Sequence, residues 1–215
     1  MTVSDLRQGR TDIYLIGITG NIACGKSAAL EMLRRRGAYN VDADTAVHRI
    51  MAPSGSAYAP IVAHFGKEIL QADAPNPAPI DRRKLGAIVF ANPQALRELE
   101  QLTHPLVRIE ILRQLVEATS HIVVIDAIKL LESGLADNCD TIWVVTCASE
   151  IQLERLMRRN NFSVEEARLR INAQPPQSEK IARAAVVIDN SGTLEETERQ
   201  VEEAWRKIPL TFRGG

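Results

Sequence analysis

Long apolar runs, cysteine in number and an excess of one charge are all missing from these 215 residues, and each absence removes a class of protein. Net charge is −1, so no general nucleic-acid or membrane-surface binder is expected, and nothing in the charge balance speaks to oligomeric state. Three cysteines, Cys24, Cys139 and Cys147, share no metal-ligand spacing, and their odd number fits a reducing compartment better than a disulfide framework. The cytoplasm is the expected location. After a polar start of mixed charge, the first apolar run, Ile13 to Ile18, is six residues interrupted by Gly17, too short for a signal peptide or a membrane span.

Directly after that run, Gly20-Asn21-Ile22-Ala23-Cys24-Gly25-Lys26-Ser27 spells G-x-x-x-x-G-K-[ST], a phosphate-binding loop in its expected setting. Glycines at both ends let the backbone curl so that successive N–H groups point inward, and the helix opening at Lys26 adds the positive end of its dipole. Lys26 is expected to reach the β- and γ-phosphates of a nucleotide, and the Ser27 hydroxyl a Mg²⁺ ion. A glycine-rich turn carrying a surface lysine would leave these residues without a purpose.

Periodicity predicts strands at about 12–18, 39–43, 121–126, 140–146 and 185–189, separated by helices. The helix after the loop is expected to end near Arg36, before Gly37, and the last to open at Thr193 and stop before Pro209. Such alternation implies an α/β, three-layer fold with a five-stranded parallel sheet whose ligands sit beyond the carboxyl ends of the strands. The core is expected from 12–44, 119–149 and 184–208. Between strands two and three, helical patterns at roughly 44–51, 57–65, 81–90 and 93–118 predict an inserted helical domain over 45–118, with an exposed proline-rich connector at 71–79. Residues 150–183 carry Arg155, Arg158, Arg159, Arg168, Arg170, Lys180 and Arg183 and are expected to form a helical lid; 1–11 and 209–215 are expected to be flexible ends.

Four positions are candidates for chemistry. In Val41-Asp42-Ala43-Asp44 the chain returns to the phosphate edge, where Asp44 either supports Mg²⁺ or accepts a hydrogen bond from an attacking hydroxyl. On a strand the two aspartates would face oppositely, and a helix N-cap is the plainer role for either, Asp44 heading a helix through His48. Asp126 ends the apolar strand 121–125 and suits a second Mg²⁺-supporting carboxylate, although an acid in the turn after a strand is common. One or two of the seven cations in 150–183 suit the charge of a transferring phosphoryl group, while Glu154, Glu165 and Glu166 offer the others ordinary helical ion pairs. His104-Pro105 lies in a helical stretch, where the proline implies a helix start or a kink.

Taken in order, these segments resemble the dephospho-coenzyme A kinase family from about Tyr14 to Val201. The resemblance is carried by the loop, the 41–44 aspartates, Phe65-Gly66, Ile80-Asp81-Arg82, Leu99-Glu100 before His104-Pro105, the Arg155, Arg159, Arg170 and Gln174 series, and Val187 to Asn190 with Gly192. It implies a nucleoside-monophosphate-kinase-like fold, and transfer of the ATP γ-phosphoryl group to the 3′-hydroxyl of dephospho-coenzyme A, the last step of coenzyme A biosynthesis. Within that family Asp44 matches the proposed catalytic acid. Lys26 and Arg159 join it as catalytic candidates, Gly20 to Ser27 with Arg155 hold ATP, and Asn190 stands where the adenine lies. Arg82, His104 and Arg108 fall in the acceptor region, and Ser27 and Asp126 are the metal candidates.

One segment departs. Where the family has Asp-x-Pro-Leu-Leu-Phe-Glu, this chain reads Asp126-Ala127-Ile128-Lys129-Leu130-Leu131-Glu132, and Lys129 either touches a substrate phosphate or is solvated. Cys24 stands where small residues such as Ser are common, and as an exposed thiol its oxidation would block the loop. Alternative readings are a phosphate-loop kinase for another small hydroxylated or nucleotide substrate, and a nucleotide-binding protein without turnover. A GTPase-like switch is disfavoured, since no Asn-Lys-x-Asp motif is present.

Overall fold

The structure is a computed structural model that describes residues 6, 7 and 9–213. Five strands, β1 (Tyr14–Gly20), β2 (Tyr39–Asp42), β3 (Ile122–Asp126), β4 (Thr141–Thr146) and β5 (Val186–Asp189), form one parallel sheet in the order β2-β3-β1-β4-β5. The phosphate-loop strand is therefore central, paired in parallel with β3 at Ile16↔Val124 and with β4 at Ile18↔Trp143. β3 is buried at every position, the pattern of a strand covered on both faces.

α1 (Lys26–Arg35) and α9 (Leu194–Arg206) cover one face, where Ile16, Ile18, Leu33, Val124, Trp143, Val145, Ile188 and Val201 share a core. Alternation sends Gly17 to the other face, and there a Cβ would meet Leu130 at 2.8 Å and the Cys139 sulfur at 2.9 Å. α1 ends as expected: Arg36 caps it and Gly37 takes the left-handed φ of 90° that a β-carbon would disfavour. Thr193 opens α9 with a reciprocal capping box to Glu196.

The chain divides into two compact units, one of residues 1–41 and 118–215, the other of residues 42–117. The second is helical: α2 (Ala43–Met51), α3 (Tyr58–Phe65), α4 (Arg82–Ala91) and α5 (Pro93–Glu117). Ala46, Ile50, Ile61, Phe65, Leu85, Val89, Val107 and Ile111 are buried along these helices. Asp42 accepts from the Thr45 N–H at 2.7 Å and caps α2, so Asp42 fills the capping role considered for Asp44, and Asp44 lies in the first turn rather than on a strand. Pro105 neither starts nor ends a helix: α5 runs through it, leaving the Gln101 carbonyl without its usual intrahelical donor. The 71–79 connector is tied at its base by Gln71 N–H to Pro79 O at 2.9 Å and by the Tyr58 hydroxyl to Ala78 O at 2.6 Å.

The 150–183 stretch is three helices, α6 (Ser149–Asn160), α7 (Val164–Asn172) and α8 (Gln177–Ile181). Glu166 is spent on a capping box with Ser163, and Arg170 lies 4.0 Å over the Phe162 ring, so these two do not form the ion pairs anticipated from spacing. The expectation of a flexible start gives way at Leu6 and Arg7: Leu6 is buried, its N–H bonds Asn138 at 3.1 Å, and Arg7 pairs with Asp140 at 2.6 Å. Residues 1–5, 8, 214 and 215 of the expected flexible ends lie outside the described residues. Among the described residues no helix is long and apolar enough to cross a membrane.

Candidate active site

The loop between β1 and α1 curls through left-handed backbone at Ala23 (φ 62°) and Gly25 (φ 89°). Alternating handedness of this kind turns consecutive N–H groups to one side and makes an anion-binding concavity at a helix N-terminus. A β-carbon at Gly25 would collide with the Asn190 side chain, so glycine is required there by packing as well as by φ.

Side chains from distant segments hold the loop by its backbone. The Ile22 peptide is gripped on both sides: its N–H donates to Gln174 Oε1 at 2.8 Å, and its carbonyl accepts from Gln152 Nε2 at 2.8 Å. Asn21 donates to the Pro175 carbonyl at 3.0 Å. Buried Asn190 donates to the Cys24 carbonyl at 2.9 Å and accepts from the Thr197 hydroxyl at 2.8 Å. The side-chain amide of Asn190, the residue expected where an adenine lies, is thus bonded to the loop and to α9. Arg155 completes the belt, donating to the Asn190 carbonyl at 2.8 Å.

A cavity of about 620 Å³ opens over the loop, walled by Ile128, Arg155, Arg158, Arg159 and Gln174. Lys26 forms an ion pair with Asp126 at the end of β3, and Ser27 is exposed in the first turn of α1. Buried Lys180 donates to the Ile128 carbonyl at 3.3 Å, the same oxygen that accepts from Thr19 at 3.1 Å. Desolvation holds the Lys180 ammonium below the ordinary lysine pKa, opposed by Glu132 and reinforced by the nearby Lys26 charge. Cations thus outnumber carboxylates around the cavity, which suits a polyanionic ligand.

Among the described residues no cluster of three His, Cys, Asp or Glu side chains offers a ready-made cage for a metal. One hydroxyl and one carboxylate instead suit Mg²⁺, which keeps several waters and takes much of its coordination from phosphate oxygens. Lys129 is exposed where the chain turns after β3, its carbonyl accepting from Ser133 N–H at 3.0 Å. Cys24, expected to be exposed, is buried, and its sulfur lies 3.2 Å from that of Cys147.

The remaining candidates belong to the helical unit. Arg82 heads α4 with Nη1 3.4 Å from Nδ1 of His48, a residue on the helix that carries Asp44. His104 lines a shallow cleft with Arg97, Glu100, Gln101 and Pro105, and Arg108 follows one turn later on α5. Sequence reasoning assigned no role of its own to Gln152 or Gln177, counted Lys180 only as one of the seven cations of 150–183, and quoted Gln174 only as part of the resemblance. Lone glutamines in polar helices carry no periodic signal, and only their aim at the loop's peptide groups reveals them.

Comparison with known proteins agrees with this geometry. A sequence model described as dephospho-CoA kinase matches residues 14–196. The dephospho-CoA kinase of Geobacter sulfurreducens is 44% identical over 196 residues, covering 90% of this chain and 98% of its own; that of Geobacillus kaustophilus is 47% identical over 189 residues, covering 86% and 92%. Among solved structures, the Thermus thermophilus protein TT1252 superposes with a TM-score of 0.79 at 31% identity, covering 92% of this chain and 98% of its own. The Campylobacter jejuni dephospho-CoA kinase superposes with a TM-score of 0.63 at 30% identity, covering 90% and 96%. With the phosphate loop, its strand order and near-full-length similarity in agreement, the chain belongs to the dephospho-CoA kinase family.

Proposed function

We propose that this protein transfers the γ-phosphoryl group of ATP to the 3′-hydroxyl of dephospho-coenzyme A, giving coenzyme A and ADP. The observation that carries the ATP half is the left-handed loop at the head of α1, with Lys26 and three arginines around one cavity. The acceptor half rests on family membership.

The loop's N–H groups and Lys26 bind the phosphates, the lysine exchanging its bond to Asp126 for one to a phosphate oxygen. Ser27 and the Asp126 carboxylate so released are the groups that would hold Mg²⁺. When bound, that ion neutralises charge on the phosphate oxygens. Arg155 and Arg159 stabilise the charge that spreads over the equatorial oxygens in the loose transition state, an effect larger there than in the ground state. Asp44 orients the acceptor hydroxyl and takes its proton; because a loose transition state needs little early deprotonation, its aim matters more than its basicity. Arg82, His104, Arg108 and Lys129 are proposed to serve the acceptor's phosphates and adenosine.

The test is ADP release from ATP and Mg²⁺ with dephospho-coenzyme A, set against adenosine monophosphate, shikimate and no acceptor. Stimulation by dephospho-coenzyme A alone, with a 3′-phosphorylated product by mass, is expected. Equal stimulation by another acceptor, or ATP binding without turnover, would overturn the assignment. Lys26→Ala, if folded, should lose both nucleotide binding and turnover.

A further inference from the structure

Two of the three thiols meet beneath the phosphate loop. Cys24 is the fifth residue of the loop, Cys147 directly follows β4, and both are buried, with their sulfurs in hydrogen-bond contact at 3.2 Å. Gln177 brackets the pair: its Oε1 lies 3.6 Å from Cys24 Sγ and its Nε2 donates to the Cys147 carbonyl at 3.2 Å. A disulfide needs about 2.05 Å between sulfurs, so bonding requires an approach of about 1 Å. Neither sulfur has a competing metal cluster among the described residues.

We propose that Cys24 and Cys147 form an oxidisable dithiol site that takes a small peroxide and, once joined, pulls the phosphate loop out of its nucleotide-binding shape. The two sulfurs differ in a useful way. Contact with the Cys24 sulfur, and then the Arg155 charge, favour ionisation of Cys147 against the cost of burial, while the same contact pushes the Cys24 thiol up. Cys147 is therefore the sulfur that attacks. Its thiolate displaces one oxygen of hydrogen peroxide, giving a sulfenic acid and, with a proton, water. The Cys24 sulfur then attacks the sulfenic sulfur, forming the S–S bond as a second water leaves. One peroxide is reduced by two electrons and two thiols are oxidised to one disulfide. Burial selects a small peroxide over a bulky disulfide such as oxidised glutathione. Cys139 is no party to this, being bonded to the Leu135 carbonyl at 3.5 Å with its thiol pushed up to about 12 by burial.

The loop has little room to absorb such a shift. Its peptides at Ile22 and Cys24 are already held by Gln174, Gln152 and Asn190, so a displaced Cys24 breaks the set of N–H groups that must meet phosphate together. Losing one or two charge-assisted hydrogen bonds corresponds to about 10- to 100-fold weaker binding.

The experiment treats the intact protein with hydrogen peroxide and reads two quantities: peptide masses, and ATP affinity measured without any acceptor. The expected result is a Cys24–Cys147 cross-linked peptide two hydrogens lighter than its parts, Cys139 still a thiol, and ATP binding weakened about 10- to 100-fold and restored by dithiothreitol. Reversal by the thiol separates this from methionine oxidation. Cys147→Ser should keep its ATP affinity through the same treatment. Absence of the cross-link, with either sulfur left as a thiol or carried separately to a sulfinic acid, overturns the site. A cross-link with unchanged ATP affinity overturns its effect, as does reversible loss in Cys147→Ser. The mapping on the unaltered chain stands even where that variant fails to fold. The inference rests on ATP as the ligand of the loop; an untreated protein that does not bind ATP would fail that reading and not the thiol chemistry.

Discussion

The side-chain amide of Asn190, just past the last strand, donates to the carbonyl of Cys24 in the first loop at 2.9 Å, joining two ends of the chain at the phosphate site. Through Thr197 the same side chain is anchored on α9. The nucleotide loop is thus supported by a residue 166 positions further along the chain.

Asn190→Ala leaves the Cys24 carbonyl and the Thr197 hydroxyl without this buried partner and should cost about 1–3 kcal/mol. Because the loop loses its support, the KM for ATP should rise with it. Denaturant unfolding and ATP titration on the same sample check this; lost stability with unchanged ATP KM would confine Asn190 to folding.

Asp44→Asn keeps shape but cannot accept the acceptor's proton. It should lower kcat by about 10²- to 10⁴-fold with ATP binding nearly intact. Steady-state kinetics combined with direct ATP binding provide the check, and a variant retaining half the rate would remove Asp44 from the mechanism.

Lys180→Met removes a buried ammonium from beside Ile128, a wall of the cavity. Replacing a desolvated cation by a well-packed apolar chain should leave thermal stability equal or higher. Turnover should nevertheless fall by about tenfold, since the cavity wall at Ile128 loses its tether. Melting temperature and kcat moving in opposite directions would establish the role.

Glu110 offers a pH test in the helical unit. Arg113 first, then Arg49 and Gln114, hold its carboxyl down to about 2. A folded-state pKa below the unfolded one adds stability that is complete above the ordinary carboxylate range and is lost as pH falls toward about 2. Glu110→Gln should therefore be less stable than the parent at neutral pH, with the gap closing through that acid range. Urea midpoints at a series of pH values would show it; a constant gap would rule it out.

Much of this protein is determined by its sequence alone because the signals are local. β-branched runs, capping residues such as Thr193 and Ser163, and Gly37 after α1 depend only on near neighbours, and the helices of 42–117 fall close to their periodic patterns. The loop's spacing is likewise a local demand of phosphate on backbone.

Tertiary structure decided the rest. Whether Asp42 or Asp44 caps α2 turned on where β2 ends, a boundary set by sheet pairing and helix entry together. Cys24 read as exposed because a phosphate loop faces solvent on one side, yet its side chain turns inward to Cys147, 123 positions away. Lys26 meeting Asp126, Gln174 and Gln152 gripping Ile22, and Lys180 entering the interior all arise where strand order brings separate segments to one edge of the sheet. Such contacts leave no periodic trace in the chain, because the geometry that creates them exists only after the sheet has closed.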